Sequence, residues 1–76
     1  MTPDWRQYIV STPEVLHGKA RLKGTRIPVS MVIGFLAEGC THEQIIEQYP
    51  DLTREQVLAC LGYALELTQS QTPAGV

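Results

Sequence analysis

Four cations fall within eight residues of this chain: Lys19, Arg21, Lys23 and Arg26, in the string KARLKGTRI. Cations at that density suit a polyanion, and duplex nucleic acid presents one phosphate charge per ~1.7 Å of helix axis. A second group opens the string TREQ at Thr53. There Arg54 has the forked guanidinium that fits a guanine edge, and Gln56 the amide that fits adenine. Groups suited to catalysis assemble into nothing comparable. His17 and His42, Cys40 and Cys60 lie at no ligand or triad spacing from one another. Glu43 and Glu55 each follow a helix cap, where a carboxylate is favoured by the helix dipole, and that role explains them. Gly18 and Gly24 lack the spacing of a phosphate-binding loop. The chain is expected to act by binding, with no catalysis, no metal and no cofactor.

Charge is divided along the chain. Residues 1–28 hold Arg6 and the four clustered cations against Asp4 and Glu14, a net +3. Residues 29–76 hold Arg54 against Glu38, Glu43, Glu47, Asp51, Glu55 and Glu66, a net −5. An anionic partner should meet the first third and a basic protein surface the rest, with Glu43, Glu47, Glu55 and Glu66 as candidate partner contacts. Seventy-six residues make one domain near the lower limit for a self-sufficient core, so a homodimer is expected. No apolar run is long enough to span a membrane, and the amino terminus has no apolar signal region; a cytoplasmic protein with reduced, buried thiols is the expectation.

The elements that position these groups are legible from their start and stop signals. Thr41-His-Glu-Gln and Thr53-Arg-Glu-Gln are capping boxes twelve residues apart. Cys40 with Ile45, and Leu52 with Val57, frame them as hydrophobic staples. They predict a helix from His42 to Tyr49, stopped by Pro50, and a second from Arg54 to about Leu67 carrying Val57, Leu58, Leu61, Ala64 and Leu65 on its apolar positions. Gly62 inside that helix suggests close approach of another helix. Ahead of the pair, Pro28 pre-sets a helix that is largely buried or sits at a subunit contact, with Val29, Val32, Ile33, Leu36 and Ala37 on one face, Met31 and Phe35 widening that stripe and Gly39 ending it. Trp5 to Val10 reads as a short strand and Pro13 to Leu16 as a turn or a single helical turn. Lys19 to Ile27 reads as a two-residue hairpin with Lys23-Gly24 at its tip. That register opposes Leu22 to Thr25, Arg21 to Arg26 and Ala20 to Ile27. Residues 68–76 lack apolar periodicity and are expected to be a disordered tail, leaving one domain over 5–67.

The sum is a mainly α fold: a tri-helical helix-turn-helix with a short N-terminal β-strand and β-hairpin. In such modules the second helix of the pair enters the major groove by its amino-terminal end. Only Arg54 is basic there, so the hairpin is the stronger anchor on duplex DNA. A solvated strand face is its plain alternative.

The string Gly18-Lys19-x-x-x-Lys23-Gly24-Thr25-Arg26-Ile27-Pro28-Val29 precedes Gly39-x-Thr41-x-Glu43-x-Ile45 and Tyr49-Pro50-x-Leu52-Thr53. Together they closely resemble the small prokaryotic domain-of-unknown-function family 433, over roughly Tyr8 to Leu67. The resemblance implies a winged-helix or homeodomain-like domain and a VapB-like antitoxin, which neutralises a PIN-like ribonuclease toxin and autoregulates its promoter. The sequence departs from the family at His17, where a second glycine is common. It departs again at Ala20 and Arg21, where proline and an apolar residue are common. The competing expectation is a protein–protein module, toxin-binding or a structural homodimer, with no DNA affinity of its own.

Overall fold

Residues 4–70 are described by the computed structural model. Three helices carry the fold: α1 (Val29–Ala37), α2 (His42–Gln48) and α3 (Arg54–Ser70). The Thr41 hydroxyl accepts from the Gln44 N–H at 3.1 Å, and the Gln44 side-chain oxygen accepts from the Thr41 N–H at 2.8 Å. Thr53 and Gln56 repeat the exchange at 3.2 and 2.8 Å, so each box satisfies two backbone donors that a helix start leaves orphaned. Helix α1 begins after Pro28, which takes the extended cap position. It closes on Gly39, whose φ of +96° allows Cys40 N–H to reach the Phe35 carbonyl and Gly39 N–H the Leu36 carbonyl. Glycine at this left-handed position costs no side-chain clash.

Two short strands, β1 (Ile9–Val10) and β2 (Arg21–Leu22), pair antiparallel with Ile9 opposite Leu22 and Val10 opposite Arg21. Alternation turns Ile9 and Leu22 into the core, where they are buried, and leaves Val10 and Arg21 on the outer face. Ile9, Leu22, Val29, Val32, Ile45, Leu52, Val57, Ala59 and Cys60 form one buried cluster drawn from both strands, all three helices and the turn before α3.

The structure corrects several sequence expectations. Trp5–Gln7 is a 3-10 turn, and only Ile9–Val10 is strand. Asp4 caps the turn by accepting from the Arg6 N–H, and the Trp5 indole lies edge-on to Tyr63 at 4.9 Å. That tertiary contact overrides the β-propensity of the string. The basic hairpin has a four-residue loop, with Leu22 N–H donating to Ile27 and Val29 N–H to Ala20, so Arg21 faces Pro28 and not Arg26. Gly24 does supply the positive φ, +79°, but alone, which gives a type II turn closed by Thr25 N–H on the Leu22 carbonyl. The turn expected up to Leu16 continues through a left-handed stretch in which Leu16, His17 and Gly18 have φ of 53°, 53° and 82°. A second glycine at His17 would relieve that conformation. On α3, Leu61 and Leu65 are exposed, not core; burial falls on Val57, Ala59 and Cys60. The 3-10 turn meets α3 at Tyr63 and Glu66, and Leu61 and Leu65 are left uncovered. Helix α3 runs to Ser70, past Leu67; residues 71–76 of the expected tail lie outside the described residues.

Candidate nucleic-acid interface

The basic segment leaves β2 and turns back into α1, so its cations are tied to the core by buried Leu22 and Val29 on either side. Lys19, Lys23 and Arg26 are exposed. The loop between them is fixed from within: the Thr25 hydroxyl donates to the Leu22 carbonyl at 2.8 Å and accepts from the Ile27 N–H at 3.0 Å. Arg21 differs from its neighbours. It is half-buried on the outer face of the strand pair, and its Nε and Nη1 have neither solvent nor a hydrogen-bond partner in the protein. Buried donors left unpaired cost about 1–3 kcal/mol. Among the described residues, none of these four cations is ion-paired with a carboxylate; the three ion pairs involve Arg6 and Arg54.

The start of α3 is otherwise engaged. Thr53 and Gln56 hold each other in the capping box, so the Gln56 amide oxygen is not free for a base edge. Arg54 Nη1 donates to Glu43 Oε1 at 3.2 Å, joining the first turns of α3 and α2. The Glu43 carboxyl is held below its ordinary value of 4.5, first by its backbone hydrogen bond at the helix start and then by Arg54. Glu47 and Glu55 are exposed on the surface. Glu66 accepts from the Trp5 indole N–H at 2.6 Å and from the Arg6 guanidinium. Those bonds, the Trp5 donor first, likewise lower its pKa. The Arg6 guanidinium stacks over the Trp5 ring at 4.6 Å.

This Trp5–Arg6–Glu66 clamp spans sixty-one residues of sequence, and no local pattern announces it. The sequence offered one signal, an indole N–H in a segment with little else to pack. His42 is half-buried, and its Nδ1 has no partner. Cys40 and Cys60 are free thiols; Cys60 is buried, and burial pushes its pKa up to about 12. Among the described residues no cluster of three metal-ligating side chains occurs, and no helix is long and apolar enough to cross a membrane.

Comparison with known proteins agrees with this architecture. The chain is 34% identical over 59 residues to the uncharacterized protein y4eO of Sinorhizobium fredii, a match covering 78% of this chain and 27% of that protein. It superposes, with a TM-score of 0.74 and 32% identity, on the crystal structure of a DUF433 member protein from Anabaena variabilis, over 82% of this chain and 61% of that one. The chain thus spans about a quarter of the length of the first relative and about three fifths of the second. Residues 9–64, which hold both strands, the basic turn and both capping boxes, match the model of the protein family of unknown function DUF433, to which this chain belongs.

Proposed function

We propose that this protein is a DNA-binding, antitoxin-like helix-turn-helix protein that acts by binding and not by catalysis. The observation that carries the reading is the set of four cations without carboxylate partners, Lys19, Arg21, Lys23 and Arg26, around β2 and the turn that follows it, in a chain with a doubly capped helix pair. Lys23 and Arg26 meet phosphates directly. Arg21, whose Nε and Nη1 are out of reach of solvent, adds positive charge behind the face that Lys23 and Arg26 present. The start of α3 then approaches the groove, with Thr53 and Arg54 nearest the bases. Neutralisation of a PIN-like ribonuclease, with Glu47 and Glu55 as exposed contacts, extends this reading from the family resemblance.

The test is a titration of duplex DNA from the chain's own promoter at several salt concentrations. Each phosphate contact contributes about −0.9 to the slope of log affinity against log salt. The double variant Lys23→Ala, Arg26→Ala should therefore flatten the slope by about 2. An unchanged slope removes the basic turn from the interface.

A second reading draws on the engagement of Arg54 and Gln56: a protein-binding module without DNA affinity. It predicts no shift of promoter DNA, together with co-purification of the neighbouring gene's product.

A further inference from the structure

Lys23 and Arg26 stand at the two ends of the segment between Leu22 and Ile27, and both are exposed. Neither is held by a carboxylate among the described residues, so the backbone that carries them sets their separation. That backbone is tied at its first residue, where the Lys23 N–H donates to the Tyr8 carbonyl at 2.7 Å. Across the base of the loop, the Leu22 N–H donates to the Ile27 carbonyl at 3.0 Å. The Thr25 side chain makes a further link. Its hydroxyl donates to the Leu22 carbonyl, ahead of Lys23, at 2.8 Å, and accepts from the Ile27 N–H, beyond Arg26, at 3.0 Å. One neutral side chain thus straps both ends of the segment that bears both exposed cations. Thr25 is half-buried, and the single proton of its hydroxyl is already committed within the loop, so it has none to donate to a phosphate.

We propose that Thr25 is a positioning residue for DNA binding: its hydroxyl holds Lys23 and Arg26 at the separation in which both meet the phosphate backbone. The proposal rests on the DNA-binding reading above and adds the group on which its affinity depends besides charge. Two cations on a loose loop also reach phosphates, but binding must then order the loop, and that ordering is subtracted from the affinity. A loop fixed beforehand avoids the loss. Removing the strap leaves every charge in place and lowers only the fraction of molecules that hold the binding geometry, so the apparent affinity falls by that fraction. The salt slope counts the phosphates neutralised in the complex, and that count does not change. A loss of affinity at constant slope is therefore the mark of positioning, and a flattened slope the mark of lost charge.

The test compares Thr25→Val, close in shape but unable to make either bond, with Thr25→Ser, which keeps both. Each full-length variant is titrated with duplex DNA from the chain's own promoter over a salt series, well below its thermal midpoint. Thr25→Val should lower affinity about fivefold at every salt concentration with the slope unchanged, and Thr25→Ser should bind as the wild type does. Without DNA, amide exchange at Ile27 should quicken in Thr25→Val and keep its wild-type rate in Thr25→Ser. Lys23→Ala with Arg26→Ala separates the two ideas. No binding by the wild type, or an unchanged slope in that double variant, removes the DNA reading and the positioning role with it. A slope that flattens there while Thr25→Val binds as tightly as the wild type overturns the positioning role alone. So does a loss that Thr25→Ser shares, or an Ile27 exchange rate that Thr25→Val leaves unaltered.

Discussion

Two groups of cations occupy this molecule under different constraints. Arg6 and Arg54 lie against carboxylates: Arg6 locks the amino-terminal turn onto α3, and Arg54 ties α3 to α2. Lys19, Arg21, Lys23 and Arg26 sit within eight residues and touch no carboxylate among the described residues. A fold that neutralises some of its cations and gathers the rest around β2 and the turn that follows it separates structural charge from charge left for a ligand. Composition alone conceals this, since the net charge of −2 argues mildly against a nucleic-acid partner.

The contrast can be broken most forcefully at the unpaired group. Lys23→Ala with Arg26→Ala should lower DNA affinity by about tenfold or more near physiological salt, with no change in thermal midpoint, since both side chains are exposed and unpartnered. A fall in the midpoint would show that these cations serve the fold. The opposite pattern is expected at the paired group. Trp5→Ala removes the edge-to-face contact with Tyr63 and one donor to Glu66; stability should drop by at least about 1 kcal/mol in urea unfolding, with the DNA salt slope intact.

The clamp also has a pH signature. Glu66 has a folded pKa below its ordinary 4.5, so its contribution to stability is complete above that value and is lost as pH falls through the lowered one. Trp5 fluorescence should report the turn loosening in that acid range, and Glu66→Gln should abolish the pH dependence. Smallest is the effect at Arg54. Held by Glu43, it should contribute little, so Arg54→Ala costs roughly twofold or less in DNA affinity. Glu43→Gln, by freeing Arg54 and removing an anion, should raise affinity. A large loss in Arg54→Ala would instead place that side chain at the bases.

Local signals are legible in the sequence because their physics is local. The capping boxes at Thr41 and Thr53, the glycine cap at Gly39 and the positive φ at Gly24 each depend on neighbours a few residues away. The basic turn is legible for the same reason. Its register is not: a type II turn and a four-residue loop carry the same Lys23-Gly24 pair as a two-residue hairpin, and the choice between them rests on Leu22 and Ile27 bonding across the loop. On α3, periodicity marked Leu61 and Leu65 as core, because an apolar stripe shows that burial is needed without saying which partner supplies it. Trp5 took a face of that helix from sixty residues away in sequence, and the apolar positions no longer matched the covered ones. The engagement of Arg54 and Gln56 was likewise invisible, since a residue type announces what it can bond and not what it does bond.

The indole–carboxylate contact between Trp5 and Glu66 closes nearly the entire described chain into one loop. Closing a loop of that length carries an entropic cost that grows with the logarithm of its length. No local turn offsets it, so the contact should form after the helices and the strand pair have already brought its ends together. In folding kinetics this places Trp5 among the last groups to dock, and in the native ensemble among the first to open. The amino-terminal turn should therefore act as a latch that opens ahead of the capped helix pair.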